Sequence, residues 1–245
     1  METEETKPPH KGLKKGLYLI PTAFTAANIG MGFLAVLYSI RGFQYVYTTP
    51  EQAAYYFNFA GIAIGLAILF DTLDGRVARM TRTATEIGVQ FDSLADVLTF
   101  GIAPIALIFS WAIAPTFAEQ SSAYAMGIFL LFMYLMCLPI PPAAGLMASI
   151  VHFSPMPLNS YGEKTGHFYG VLMMILIAVL SVLMVSTIRY SSFKSAGAGR
   201  KNLYLVLLIA AVGMLIWLYS KYVLIIISVI YVSHGVIWYL LTALK

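Results

Sequence analysis

Residues 71–101 read "DTLDGRVARMTRTATEIGVQFDSLADVLTFG". The fold and the chemistry expected of the whole chain are inferred from this stretch and the apolar sequence around it. It contains all four aspartates of the sequence, Asp71, Asp74, Asp92 and Asp96. The chain of 245 residues is 60% hydrophobic and only 11% charged, with a mean hydropathy of +0.81. An ionised carboxylate at the centre of a membrane-spanning helix costs about 2.5–3.5 kcal/mol. Aspartates that are concentrated in one window of such an apolar chain therefore indicate a functional site.

Apolar runs of about 20 residues, the length that crosses a bilayer core, recur along the sequence. They predict an all-α, polytopic transmembrane bundle. An N-terminal tail (1–16) is expected to precede one transmembrane domain (17–245). About eight spans are expected, a six-helix catalytic core followed by two C-terminal helices. Their approximate limits are 18–40, 54–78, 90–113, 123–138, 140–153, 167–188, 203–219 and 222–242.

The distribution of lysine and arginine predicts how the chain is oriented in the membrane. With the N-terminus inside and the spans alternating, twelve of the fifteen basic residues fall inside and three, Arg41, Lys164 and Lys221, fall outside. Positive residues favour the cytoplasmic side, so both termini are expected there, in a bacterial-type inner (plasma) membrane. The net charge of +4 then follows from membrane orientation, and no nucleic-acid partner is expected.

The spacing of the aspartates predicts a single pocket. Asp71 and Asp74 are three residues apart and Asp92 and Asp96 four apart, so each pair shares a helix face. The connection between the two helices is short, which favours antiparallel neighbours. The four carboxylates are therefore expected to converge just below the cytoplasmic surface.

A carboxylate cluster of this kind favours divalent cations. Oxygen ligands suit Mg²⁺, Mn²⁺ or Ca²⁺, and two metals bridged by carboxylates serve phosphoryl transfer. Gly75 and Gly88 leave room for a substrate, and Arg79 supplies a permanent cation for a phosphate. Two other interpretations are weaker. Helix-end charges paired with Arg76, Arg79 and Arg82 explain only one or two aspartates. A cation transporter predicts carboxylates at several membrane depths rather than one.

The same window resembles the signature of the CDP-alcohol phosphotransferases. It contains Asp71-x-x-Asp74-Gly75-x-x-Ala78-Arg79 and, after eight intervening residues, Gly88-x-x-x-Asp92-x-x-x-Asp96. The resemblance implies a membrane enzyme, usually a homodimer, that transfers a phosphatidyl-type group from a CDP-linked lipid to an alcohol and releases CMP. It implies two Mg²⁺ or Mn²⁺ ions held by Asp71, Asp74 and Asp92, with Asp96 helping to hold the second and acting as general base. It also implies contacts to the CDP portion from Gly75, Ala78, Arg79, Thr85 and Gly88.

Three further stretches address the identity of the alcohol. "SLADVLTFGIAP" (93–104), "LPIPPAAGLMAS" (138–149) and "MVSTIRYSSFK" (184–194) resemble the membrane-embedded phosphatidylserine synthases within this family. This resemblance implies L-serine as acceptor and CDP-diacylglycerol as donor. Glycerol phosphate, inositol or another amino alcohol remain alternatives, although a phosphorylated acceptor needs an additional cluster of cations.

Weaker candidates for substrate contact lie outside the aspartate window. "IPTAFTAANIG" (20–30) resembles the family's entry segment, which makes Thr22, Thr25 and Asn28 candidates for cytidine or phosphate contact. Arg189 and Lys194 are candidates for binding lipid phosphate or the serine carboxylate, and they serve equally well as positive-inside anchors.

One junction departs from the pattern of phosphatidylserine synthases. "FMYLMC" runs directly into "LPIPPAAG", where an arginine-rich segment and a cytoplasmic loop are usual. We hypothesise that a segment is missing at the join of Cys137 and Leu138.

Overall fold

The computed structural model describes residues 11–81, 86–137, 141–185, 219–234 and 237. These residues are almost entirely helical, and no strand occurs among them. The α-helices are α1 (Lys11–Tyr45), α2 (Pro50–Thr81), α3 (Glu86–Asp96), α4 (Ala103–Ile108), α5 (Ala114–Phe117), α6 (Ser121–Met136), α7 (Pro141–Phe153), α8 (Glu163–Val185) and α9 (Tyr219–His234). A 3-10 turn, Leu158–Tyr161, precedes α8.

Four stretches among the described helices are long and apolar enough to cross a membrane. They are Ala23–Tyr45, Pro50–Gly75, Gln90–Phe117 and Glu163–Met184. Because a bilayer core offers no water to backbone amides, a helix is the structure that satisfies them within one segment. The predicted all-helical class is confirmed. The count of eight spans stays a prediction, since the expected span 203–219 lies almost wholly outside the described residues.

The third stretch is a continuous helical rod that is interrupted by two π-helical turns. We name these π1 (Val97–Ile102), between α3 and α4, and π2 (Phe109–Ile113), between α4 and α5. Each is followed by a helix with proline at its second position, Pro104 or Pro115. A proline inside a helix lacks an N–H donor and collides with the carbonyl four residues earlier, so a local widening of the helix relieves both problems.

Helices α1 and α2 form an antiparallel pair joined by a short turn. Phe43 and Tyr45 carbonyls close this turn by accepting backbone hydrogen bonds, and Pro50 begins α2. At the opposite end of the pair, the rings of Phe24 and Phe70 lie 6.4 Å apart. The antiparallel arrangement therefore sets the first half of α1 beside the end of α2 that carries Asp71 and Asp74.

The apolar core lies between α2, the third rod, α7 and α8. It includes the fully buried side chains Phe57, Ile64, Phe100, Leu107, Ile113, Met147 and Ile177. Helices α2 and α7 approach closely at Gly61, where an added Cβ would lie 2.9 Å from the carbonyl oxygen of Ala148. Small residues at such contacts allow helices to pack in lipid.

A second polar cluster lies at the end of the bundle away from the aspartates. The His152 ring on α7 bonds through Nδ1 to Asn58 Oδ1 of α2 at 2.7 Å and through Nε2 to Ser220 Oγ of α9 at 3.0 Å. We name these three residues the His152 cluster. Both ring nitrogens of the buried histidine have partners, so the cluster joins three helices.

Candidate active site at one end of the bundle

Three of the four aspartates meet where α2 and α3 come together. Asp71, Asp92 and Asp96 each offer one carboxylate oxygen, and these oxygens all lie within 4.8 Å of one another. All three side chains are half-buried. We name them the aspartate cluster. Such a group of like charges repels itself unless protons or cations compensate it, and separations of this size suit carboxylates that bind a common cation.

Asp74 points toward a different helix from the aspartate cluster. Its side chain is buried, and its Oδ2 accepts a hydrogen bond from Thr25 Oγ1 of α1. Residues three apart on a helix differ by about 60° in direction. This difference lets Asp71 face α3 while Asp74 faces α1. The structure therefore brings Thr25 into contact with a predicted metal ligand.

Asn28 lies one turn beyond Thr25 and is fully buried. Its backbone carbonyl accepts a hydrogen bond from Thr99 Oγ1 of π1 at 3.4 Å. An added Cβ at Gly32 would lie 2.5 Å from Thr99 Oγ1, so glycine is needed there for α1 to approach π1. This contact fixes the helical turn that directly follows Asp96.

Polar atoms without a protein partner occur on both sides of this contact. Asp96 Oδ1 is buried and has no hydrogen-bond partner, and the same holds for both side-chain polar atoms of Asn28. Buried polar groups are nearly always hydrogen-bonded in native proteins. These unpaired atoms therefore fit a site whose cation or substrate supplies the missing contacts.

The remaining predicted residues are placed only in part. Gly75 is half-buried at the end of its span and Gly88 is exposed near the start of α3. Thr22, Ala78 and Arg79 lie on α1 or α2, but their side chains are outside the part that the structure describes. Thr85, Arg189 and Lys194 lie wholly outside the described residues, as do the residues that follow Cys137 at the hypothesised junction.

Tyr134, which the structure places beside the site, was not among the residues predicted from the sequence. Its apolar surroundings in "LLFMYLMC" favour a lipid-facing side chain, yet Tyr134 is fully buried and donates its hydroxyl to the Phe100 carbonyl of π1 at 2.9 Å. Pro104, four residues after Phe100, was the available signal, because proline cannot donate to that carbonyl.

Comparison with known proteins identifies the family of this chain. The sequence matches the family described as CDP-alcohol phosphatidyltransferase over residues 18–237. The chain belongs to this family. All four aspartates lie inside the matched region. The match over most of the chain confirms the suspected family.

Several relatives of this CDP-alcohol phosphatidyltransferase have names that state their activity. The chain is 30% identical to the CDP-diacylglycerol–serine O-phosphatidyltransferase of Helicobacter pylori, with 94% of each chain covered. It is 33% identical to the archaetidylserine synthase of Methanothermobacter thermautotrophicus, over 73% of this chain and 72% of the relative. A CDP-diacylglycerol–serine O-phosphatidyltransferase of Methanocaldococcus jannaschii is 29% identical over 69% of this chain and 72% of the relative.

Family membership and the apolar helices together establish a coarse description. The protein is an integral membrane enzyme of a phosphotransferase family. The family is divalent-cation dependent, and the aspartate cluster offers the carboxylate oxygens that such an ion binds.

Proposed function

We propose that this protein transfers the phosphatidyl group of CDP-diacylglycerol to the hydroxyl of L-serine, giving phosphatidylserine and CMP. The observation that carries the proposal is the aspartate cluster, three carboxylates within 4.8 Å at one end of a membrane bundle. In a CDP-alcohol phosphatidyltransferase, this is the arrangement expected at the centre of phosphoryl transfer.

The choice of serine is supported by how the named relatives differ. Two of the relatives are named for CDP-diacylglycerol and the third for an archaetidyl lipid, while all three names include serine. Agreement across two lipid types supports the acceptor more strongly than the lipid. Glycerol phosphate or inositol is the alternative acceptor, and neither is named among these relatives.

Two divalent cations, Mg²⁺ or Mn²⁺, are proposed to bind at this site. Asp71, Asp92 and Asp96 offer converging oxygens, and Asp96 Oδ1 is buried without a partner. Asp74 is the fourth proposed ligand, held by Thr25. When bound, the cations neutralise the pyrophosphate and stabilise the charge that develops during transfer.

Asp96 is proposed as the general base. It takes the proton from the serine hydroxyl as the serine oxygen forms a bond to the phosphorus of the phosphatidyl group. The bond between that phosphorus and the bridging oxygen breaks, and CMP leaves with the electron pair. The partly buried position of Asp96 and its unpaired Oδ1 are consistent with this role.

The nucleotide half of the donor is proposed to lie along the C-terminal end of α2. Gly75 and Ala78 each follow an aspartate by four residues, about one helical turn, and Arg79 supplies a cation for the phosphates in this proposal. The other proposed contacts are Thr22, Thr25, Asn28, Thr85 and Gly88, with Arg189 and Lys194 as further candidates.

The site is proposed to face the cytoplasm in a bacterial-type inner membrane. The three residues assigned outside, Arg41, Lys164 and Lys221, lie near the end of α1 and the starts of α8 and α9. That end of the bundle is opposite the aspartates. A homodimer is proposed from family membership, with no nucleic-acid partner.

An acceptor panel tests the proposal. The purified protein in lipid nanodiscs is given CDP-diacylglycerol, Mn²⁺ or Mg²⁺ and one alcohol at a time, and CMP release is followed. We expect release that depends on both serine and metal. Faster release with glycerol phosphate or inositol than with serine overturns the acceptor. Absence of CMP release with every alcohol contradicts the activity. In that case, comparison of the intact mass of the purified chain with the mass encoded by its gene tests the hypothesised missing segment.

A further inference from the structure

The helical turn after Asp96 is bonded to a side chain from another helix. Asp96 directly precedes π1, and Phe100 lies within it. Pro104 cannot supply the α-helical bond to the Phe100 carbonyl because it has no N–H, and in a π-helical turn the backbone donor would be Ile105. The carbonyl also accepts a hydrogen bond from the hydroxyl of Tyr134 on α6 at 2.9 Å.

The surroundings make this hydrogen bond hard to replace. Tyr134 and Phe100 are both fully buried. A polar group that loses a hydrogen bond in such an apolar interior carries a cost of desolvation. The aromatic ring of Tyr134 could fill this space without its hydroxyl. The hydroxyl adds a hydrogen bond to the Phe100 carbonyl of π1.

Contacts from α1 hold the same turn on another side. Thr99 donates to the Asn28 carbonyl, and Gly32 allows α1 to approach Thr99 closely. Thr99 and Phe100 lie three and four residues after Asp96, which is one helical turn. Any shift of π1 therefore moves the Asp96 carboxylate relative to Asp71.

We propose that Tyr134 is a positioning residue, whose hydroxyl holds π1 so that Asp96 faces Asp71 and Asp92. This proposal rests on the proposed role of Asp96 in catalysis. It assigns to a tyrosine outside the family signature the task of fixing the distance between carboxylates on two different helices.

The test compares Tyr134→Phe with Trp111→Phe. The control is Trp111→Phe. It removes the hydrogen bond that Trp111 Nε1, in π2, donates to the Met156 carbonyl at 2.8 Å. For Tyr134→Phe, kcat is expected to fall about tenfold, because small displacements of catalytic groups cost large factors. The KM for serine is expected to change less than about twofold, as for an interaction that acts in the transition state.

Binding of Mn²⁺ alone, followed by electron paramagnetic resonance, supplies a readout that needs no turnover. Its dissociation constant is expected to rise about tenfold in Tyr134→Phe, because groups that orient metal ligands affect affinity by this order. Trp111→Phe is expected to keep wild-type kcat and Mn²⁺ affinity, even if it lowers thermal stability more.

The outcomes separate this proposal from the proposed function. Wild-type kcat and Mn²⁺ affinity in Tyr134→Phe overturn the positioning role, and so do equal losses in both variants. A wild-type protein without serine-dependent CMP release, but with Mn²⁺ binding weakened only by Tyr134→Phe, rejects the serine transferase and retains the positioning role.

Discussion

The His152 cluster and the aspartate cluster both set polar side chains among apolar helices, at opposite ends of the bundle. In the His152 cluster every ring nitrogen has a protein partner, since Asn58 and Ser220 face it from two other helices. In the aspartate cluster three acidic groups face one another, and Asp96 Oδ1 has no partner. The His152 cluster is complete by itself and serves packing, whereas the converging carboxylates and the unpaired Oδ1 of the aspartate cluster are consistent with a bound cation.

The largest expected effect is that of Asp96→Asn. Loss of the proposed base is expected to lower the rate of serine-dependent CMP release by about 10²–10⁴-fold, the usual contribution of general base catalysis. Thermal stability is expected to be equal or higher, because one of three clustered charges is removed. Activity assays and thermal unfolding in nanodiscs measure both. A variant with the full wild-type rate contradicts the assignment of the base.

A smaller effect is expected from Thr25→Val, which keeps the side-chain shape but removes the hydroxyl that donates to Asp74. The rate is expected to fall about tenfold, equivalent to ~1.4 kcal/mol and within the cost of leaving a buried acceptor unsatisfied. Thr25→Ser is the matched control, because it keeps the hydroxyl, and its rate should stay near that of the wild type. Equal losses in both substitutions would show that the methyl group, rather than the hydrogen bond, matters.

The smallest effect on activity is expected at the His152 cluster. His152→Ala is expected to lower stability by about 1–3 kcal/mol, because it leaves two half-buried partners without their hydrogen bonds. Its kcat should remain within about twofold of wild type, since no proposed substrate contact is lost. Ser220→Ala, which removes only one half-buried partner, should destabilise the protein less. A tenfold loss of kcat at unchanged stability would show that this end of the bundle also serves catalysis.

The comparison also explains how much the sequence could predict. The aspartates were predictable as a site because they are rare in an apolar chain and follow helical spacing on two adjoining segments. That spacing did not separate Asp74 from Asp71, because a difference of 60° on one helix becomes important only when the neighbouring helices are known. The contact between Thr25 and Asp74 depends on how α1 packs against α2.

The role of Tyr134 was not predictable for a related reason. In a membrane protein the lipid-facing and core-facing sides of a helix are both apolar, so composition along α6 does not reveal which side is buried. The prolines at 104 and 115 did mark the places where the third rod departs from α-helical geometry. They could not indicate that a tyrosine from another helix donates to the Phe100 carbonyl.

The most direct test of the central claim is a Mn²⁺ titration followed by electron paramagnetic resonance on three purified proteins: wild type, Asp92→Asn and His152→Ala. If the aspartate cluster is completed by cations and the His152 cluster by the protein, wild type and His152→Ala bind Mn²⁺ with the same affinity. Asp92→Asn should then bind at least about tenfold more weakly. Equal Mn²⁺ binding by wild type and Asp92→Asn, or none by either, would contradict the account.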